Sequence, residues 1–348
     1  MTPLGEILAA RIRAHGPMRL DEYMQACLLH PEHGYYTTRE PFGTAGDFTT
    51  APEISQMFGE VLGAAIAQAW MDQGRPENAV LAEIGPGRGT LMADALRVLR
   101  RVPGWRAEVV LVEVSPRLRA LQRQRLGAVR HVDTAADLPE APLFLLANEF
   151  FDALPIRQFR RLPEGWAEVM VNAVPEGLAF ALGPVLPLPR AAPPGAVWEV
   201  CEAAPPIAAA VAGRIARHGG AAIFLDYGGW DGQGDSLQAL QGGRPADPLA
   251  APGRADLTAH VDFAPIAAAA RGVRVSRLTE QGALLARLGI GARAQALAQA
   301  RPDQADAVAA ALHRLTGKAE MGQLFKALAF WPATAPPVAG FFPAGGTE

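Results

Sequence analysis

Cysteine is nearly absent from this chain: only Cys27 and Cys201 occur among its 348 residues. Two cysteines so far apart cannot build the disulfide framework of a small secreted domain, so the sequence favours a reducing compartment. Apolar runs long enough to cross a bilayer are also lacking, and residues 1–17 do not contain the apolar core of a signal peptide. We therefore expect no membrane insertion and a cytoplasmic location.

The chain has no excess of charge of either sign. Its 32 basic and 35 acidic residues give a net charge of -3, and no block of like charge stands at either end. Nucleic-acid binding depends on clustered basic residues, so the composition gives no support for a nucleic-acid partner or a membrane surface. With 50% hydrophobic residues, the chain can bury a substantial core.

A metal site is not expected either. Cys27, His30 and His33 are spaced three residues apart, but Pro31 interrupts the helix that would align them, and a fourth ligand is missing nearby. The oligomeric state is left open by the sequence.

From residue 76 onward, short apolar runs alternate with helical patterns. The runs expected to be strands are 79–84, 107–114, 141–148 and 220–228, and the run 116–126 is expected to be a helix with a proline in its first turn. Such alternation predicts an α/β protein with a mostly parallel sheet.

The predicted organisation has five stretches. Two Pro-Glu-Gly turns between residues 156 and 184 predict antiparallel hairpins inserted into the sheet, and residues 321–330 fit either a helix or a strand. The stretches are an N-terminal helical segment with a lid loop (1–75), the first part of the core (76–155), the hairpins with a Pro-rich connector facing the substrate (156–206), the second part of the core with extra helices (207–332), and a loosely ordered tail (333–348).

The stretch "LAEIGPGRGTLMADAL" has a strand, a glycine-rich turn and a helix in succession. This is the layout of a nucleotide site in a doubly wound sheet, where glycines let the backbone approach the ligand. A dinucleotide fingerprint requires Gly or Ala where this chain has Thr90. Glu83 precedes the turn, and Glu113 ends the next strand, where a carboxylate can accept the two hydroxyls of a ribose.

Two alternatives stay open at this loop. The first is a glycine turn beside a solvent-facing glutamate, without any ligand. The second concerns Asp133, which follows the next strand: it is either a group near an adenine amine or an aspartate in a surface turn.

A second polar cluster, "LLANEFFDALP", follows the predicted strand 141–148. Asn148, Glu149 and Asp152 place an amide and two carboxylates beside two phenylalanines at the carboxyl end of that strand, where open α/β sheets bind ligands. The cluster suits a cationic or amide group. Equally, Asn148 could cap a turn and Asp152 a short helix.

Several long motifs occur in order between residues 27 and 330 and together closely resemble the MidA-type methyltransferases, a family that includes a mitochondrial assembly factor for respiratory complex I. The motifs are "CLLHPEHGYY", "GDFTTAPEISQMFGE", "EIGPGRGTLMADAL", "LVEVSPRLRALQ", "NEFFDALPIRQF", "FLDYG", "DLTAHVDF" and "MGQLFKALAF".

The resemblance implies a Rossmann-like class I methyltransferase with a seven-stranded sheet and S-adenosyl-L-methionine as cofactor. It also implies symmetric dimethylation of an arginine on a complex I subunit. Residues carried over by motif as cofactor contacts are Glu83, Gly85, Gly87 and Glu113, and in the lid Gly46, Asp47 and Phe48. Asn148 and Glu149 would face the methyl donor.

An arginine acceptor gives the acidic cluster a chemical purpose. A guanidinium stays protonated in water, so it must be oriented and its charge localised before it attacks a methyl group, and a carboxylate can bind two of its N–H groups. Glu149 is the first candidate for this clamp and Asp152 the second. Two further hypotheses remain: a non-catalytic assembly factor that binds the cofactor, and a methyltransferase for a small molecule, which would need less surface than the lid and hairpins offer.

Overall fold

The computed structural model describes residues 1–38 and 49–345. The chain divides into two compact units. Unit 1 comprises Met1–Phe48, Phe151–Ala204 and Gly229–Asp262, and unit 2 comprises Thr49–Phe150, Pro205–Gly228 and Phe263–Glu348. The predicted N-terminal segment 1–75 is thus shared between the two units.

The helices are α1 (Pro3–His15), α2 (Leu20–Leu29), α3 (Tyr35–Thr38), α4 (Ala51–Ile54), α5 (Gln56–Asp72), α6 (Thr90–Leu99), α7 (Pro116–Leu126), α8 (Ala204–His218), α9 (Phe263–Ala269), α10 (Gln281–Arg287), α11 (Ile290–Ala300), α12 (Ala305–Thr316) and α13 (Met321–Leu324). The strands are β1 (Met18–Arg19), β2 (Ala79–Ile84), β3 (Ala107–Val112), β4 (Arg130–Val132), β5 (Leu143–Asn148), β6 (Arg157–Leu162), β7 (Gly165–Val174), β8 (Gly177–Leu186), β9 (Val197–Val200), β10 (Gly220–Gly229), β11 (Gln238–Gln241), β12 (Arg244–Ala246), β13 (Asp256–Thr258), β14 (Val261–Asp262), β15 (Val273–Val275), β16 (Thr279–Glu280) and β17 (Phe325–Pro332).

Unit 2 is built on a sheet whose strands follow the order β15-β17-β10-β5-β2-β3-β4, with β16 also paired to β17. The strands from β10 to β4 pair in parallel, whereas β17 is antiparallel to β10, β15 and β16. The chain moves outward from β2 to β4 and then returns to the other side of β2 for β5 and β10. The strand order therefore reverses between β2 and β5, and ligands of open α/β sheets bind at such a point.

The core of unit 2 explains the continuous apolar runs of its central strands. All residues of β2 and β5 are buried, as expected for parallel strands covered on both faces. Phe58 of α5, Leu91 of α6 and Leu285 of α10 belong to the same buried cluster as Leu81 and Phe144. The predicted mostly parallel α/β sheet is confirmed.

Helix α7 shows how local sequence sets an element boundary. Ser115 precedes it and accepts a hydrogen bond from the backbone N–H of Leu118, and Pro116 occupies the first helical position. The helix ends before Gly127, whose φ of 82° is readily adopted only by glycine. This helix spans the predicted residues 116–126.

Unit 1 contains the predicted antiparallel hairpins. Its larger sheet has the order β1-β7-β6-β9, with β8 paired to β7, and a smaller sheet has the order β12-β11-β13. Leu8 and Ile12 of α1 and Tyr23 and Met24 of α2 form one buried cluster with Val171 of β7. The N-terminal helices α1 and α2 therefore pack on the hairpin sheet.

The end of the chain differs from the prediction. Residues 321–330 form a short helix followed by a strand, which resolves the open alternative. The tail was predicted to be loosely ordered, which is wrong as far as residue 345. Val338 and Phe341 are buried, and the N–H groups of Arg277 and Ala344 donate to Phe342 and Val275.

None of the helices in residues 1–38 and 49–345 combines the length and apolar character of a membrane-spanning helix.

Candidate functional site

The glycine loop between β2 and α6 needs glycine for two reasons. Gly85, Gly87 and Gly89 have φ values of 64°, 51° and 75°, in the region that disfavours other residues. A Cβ on Gly85 would also lie only 2.8 Å from Cδ2 of Phe150. The loop thus turns sharply while the ring of Phe150 packs directly against its backbone.

Glu83 lies one residue before the end of β2 and is only 3% exposed. Burial raises the pKa of this carboxyl well above its usual range, and a hydrogen bond from the backbone of Met92 offsets part of the effect. Its Oε2 atom is buried and has no hydrogen-bond partner among the described residues. A buried acceptor without a donor is costly for the protein alone, so this oxygen suits a ligand that brings N–H groups.

Glu113 follows β3, and both oxygens of its carboxylate accept hydrogen bonds. Oε1 accepts the backbone N–H of Ser115 at 2.8 Å, and Oε2 accepts Nε2 of Gln122 at 3.3 Å. Burial raises the pKa of Glu113 despite these hydrogen bonds. Gln122 also donates to the carbonyl oxygen of Gly87 at 2.8 Å, so one buried amide fixes both the carboxylate and the glycine loop.

Sequence reasoning missed Gln122, which stands among arginines on α7 and is fully buried.

Asp133 follows β4 and has a largely exposed side chain that forms an ion pair with Arg119. Arg119 in turn donates to the carbonyl oxygen of Glu113 at 2.6 Å. This geometry matches the alternative of an aspartate in a surface turn. The predicted role of Asp133 near an adenine amine stays a prediction.

The acidic cluster at the end of β5 is organised around Glu149. Register places Glu83 opposite Leu146 on the neighbouring strand, so the ends of β2 and β5 are adjacent. One oxygen of Glu149 accepts both Nδ2 of Asn148 at 2.8 Å and the backbone N–H of Ala51 at 2.9 Å. The carboxylate is therefore fixed before any ligand arrives.

The backbone of Glu149 has a φ of 52°, which is rare for a residue with a side chain. Such conformations persist only where the surroundings enforce them, and they concentrate at functional sites. Asn148 supplies the second unmatched acceptor of this edge: its Oδ1 is buried and lacks a hydrogen-bond partner in the part of the chain that the structure describes.

The role of Asp152 as the second candidate for the clamp stays a prediction. The division between the units falls after Phe150, so Asp152 belongs to unit 1. There it is buried, and together with Asp256 its charge raises the pKa of Tyr36, after the larger effect of burial. No helix begins at Asp152 within this described stretch, so the alternative of a helix cap is wrong.

The segment just before α5 contacts the glycine loop of unit 2. The hydroxyl of Thr90 donates to Oε1 of Glu53, and Arg88 lies 3.9 Å from the other oxygen of the same carboxylate. The predicted lid residues Gly46, Asp47 and Phe48 lie outside the described residues.

These residues fit S-adenosyl-L-methionine. The unmatched oxygens of Glu83 and Asn148 can accept N–H groups from an ammonium, and the fixed carboxylate of Glu113 can accept ribose hydroxyls. The glycines of the loop between them carry no side chains that would block the approach of a ligand. When bound, this cofactor supplies a methyl group on a sulfonium centre.

Comparison with known proteins gives a consistent result. A family model described as "Putative S-adenosyl-L-methionine-dependent methyltransferase" matches residues 61–279. The Xenopus tropicalis protein named "Protein arginine methyltransferase NDUFAF7, mitochondrial" is 35% identical over 96% of this chain and 88% of its own length. The Drosophila melanogaster homologue of that name is 36% identical, covering 94% of this chain and 85% of its own.

A solved structure from Burkholderia thailandensis, bound to S-adenosyl-homocysteine, superposes with a TM-score of 0.84 at 31% identity. The match covers 97% of this chain and 94% of that one. The prediction of a cytoplasmic location is contradicted, because the Xenopus, Drosophila and mouse relatives are named mitochondrial. That prediction was based on the lack of a signal-peptide core and of long apolar runs. Such absences do not specify a compartment.

Proposed function

This chain belongs to the S-adenosyl-L-methionine-dependent methyltransferase family, and from that premise we propose that it methylates arginine side chains of a protein. The cofactor is S-adenosyl-L-methionine. Relatives named as protein arginine methyltransferases, which match nearly the whole chain, support this acceptor. The observation that carries the proposal is the fixed carboxylate of Glu149.

A guanidinium must be oriented before it can react, and Glu149 is suited to that task. Its carboxylate is held by Asn148 and Ala51, so little ordering remains to be done when the acceptor binds. A guanidinium presents N–H donors in a planar fork that matches a carboxylate. Glu149 would localise the positive charge away from the nitrogen that attacks.

The remaining residues would bind the cofactor. Glu83 and Asn148 would accept the N–H groups of its ammonium, and Glu113 would accept its ribose hydroxyls. Gln122 would hold the Glu113 carboxylate and the loop at Gly87 in fixed positions relative to each other through its two hydrogen bonds.

We further propose that the acceptor is a subunit of respiratory complex I and that the product is symmetric dimethylarginine. The hairpin sheet of unit 1 would supply surface for this macromolecular acceptor. In support, strand β8 exposes large apolar side chains, namely Phe180, Leu182 and Val185. Exposed apolar groups clustered on one strand are typical of a protein-binding surface.

The test is methyl transfer by Glu149→Gln. The acceptor is the subunit fraction of complex I from cells that lack this chain, and radiolabelled S-adenosyl-L-methionine is the donor. We expect transfer to arginine to fall by about 10²-fold while the affinity for S-adenosyl-homocysteine is retained, since the clamp acts on the acceptor.

Glu77→Gln, at an exposed position of unit 2, is the matched control and should transfer at the parent rate. Unchanged transfer by Glu149→Gln would reject the clamp. Label on a small molecule, with none on protein arginine, would reject the proposed acceptor.

A further inference from the structure

Asp226 is a buried carboxylate that the proposed roles at the site leave unexplained. It lies in β10, within the "FLDYG" stretch, and none of its surface is exposed. Removing a carboxylate from water is costly unless hydrogen bonds replace the lost hydration. A neutral side chain could occupy the same space in the core with a smaller loss of hydration free energy, so packing alone does not explain a carboxyl group here.

Both oxygens of Asp226 accept backbone N–H groups. Oδ2 accepts the N–H of Phe150 at 3.1 Å, and Oδ1 accepts the N–H of Tyr227 at 2.9 Å. A carboxylate can accept at both oxygens, whereas an asparagine presents a donor at one of the two positions. The arrangement therefore favours a carboxyl group over an amide at this position.

The first of these N–H groups belongs to the residue directly after Glu149. The N–H of Glu149 itself donates to the carbonyl oxygen of Leu225 at 2.9 Å. Neighbouring residues of β10 thus hold the two consecutive N–H groups at the turn where Glu149 adopts its φ of 52°. Without such restraints, a residue with a side chain would leave this conformation.

We propose that Asp226 is a positioning residue for methyl transfer. It fixes the backbone at Glu149 and Phe150, so that the Glu149 carboxylate points in one direction and the Phe150 ring stays against Gly85. This inference rests on the proposed function, because Asp226 acts only through Glu149.

The test compares Asp226→Asn, Glu149→Gln and the double variant, with the complex I subunit fraction from cells lacking this chain as acceptor. We expect Asp226→Asn to lower kcat by about 10²-fold, because a displacement near 1 Å has that effect. The KM for the subunit fraction and the affinity for S-adenosyl-homocysteine should stay within about threefold of the parent values. In the Glu149→Gln background, Asp226→Asn should cause no further loss.

Glu60→Gln is the matched control. Glu60 is another buried carboxylate of unit 2, but it is paired with the side chains of Arg97 and Arg293 and has no role at the site. Its substitution should lower stability and leave kcat unchanged. Asp226→Ser, which keeps one acceptor in a smaller side chain, is the second variant in case Asp226→Asn does not fold.

The outcomes separate this inference from the proposed function. An inactive Glu149→Gln with a fully active Asp226→Asn would overturn the role of Asp226 and leave the clamp intact. If the fold-losses in kcat of the two single variants multiply in the double variant, Asp226 acts independently of Glu149. That result would also overturn the positioning role of Asp226. If neither Asp226 variant folds, the carboxylate is a folding requirement and the positioning role is rejected. An active Glu149→Gln removes the clamp and this inference together.

Discussion

Replacing Gly85 by alanine should weaken both the fold and cofactor binding. A residue with a Cβ at a φ of 64° costs about 1–2 kcal/mol. The new Cβ would lie 2.8 Å from Cδ2 and 3.3 Å from Cβ of Phe150, and such overpacking costs about 1–3 kcal/mol more. The backbone of Phe150 cannot retreat freely, because its N–H is bound by Asp226.

The free energy of unfolding, measured with urea, should therefore fall by about 2–5 kcal/mol. Calorimetry with S-adenosyl-homocysteine should show an affinity at least about tenfold lower, since the loop backbone lines the ligand site. The matched control is Gly289→Ala, at a glycine with a φ of 81° whose added Cβ would meet nothing within 4 Å in the described structure. It should lose only about 1–2 kcal/mol and bind as the parent does. Equal losses of stability in both variants, with unchanged affinity, would refute the reasoning.

Two further predictions concern the carboxylates of the cofactor residues. Because burial raises the folded-state pKa of Glu83, the folded protein holds this proton more tightly than the unfolded chain, so stability falls as pH rises from about 4.3 toward the raised value. Glu83→Gln should lack this decline in urea titrations across pH, and it should bind S-adenosyl-homocysteine about tenfold more weakly than the parent. A pH dependence like the parent's would show that the carboxyl of Glu83 is not its source. Gln122→Met should lower stability by about 1–3 kcal/mol, because Glu113 and Gly87 lose their shared donor, and calorimetry should show weaker binding. Parent-like affinity would remove Gln122 from the site.

Much of unit 2 was predictable because its strands are continuous apolar runs. The run 79–84 matches β2, and placing Glu83, Glu113 and Glu149 at strand ends required only that parallel strands end at one edge of the sheet. The tail was harder to predict. Val338 and Phe341 are separated by glycine and lie among prolines, so neither a helical nor a strand period marks them.

The residues that support the site were not predictable from local patterns. Gln122 occurs in a helix rich in arginine, where a solvated face is the simplest interpretation. Asp226 interrupts an apolar strand, and only the pairing of β10 with β5 shows that it reaches the turn after Glu149. Contacts between distant segments decided both cases.

The central claim is that this chain methylates protein arginine with the help of Glu149. The most direct test is mass spectrometry of complex I subunits from cells that lack the chain, complemented with either the parent or Glu149→Gln. The account predicts dimethylarginine on a subunit with the parent and its loss with Glu149→Gln at equal protein levels. The same dimethylarginine in both cell lines, or in cells without the chain, would contradict it.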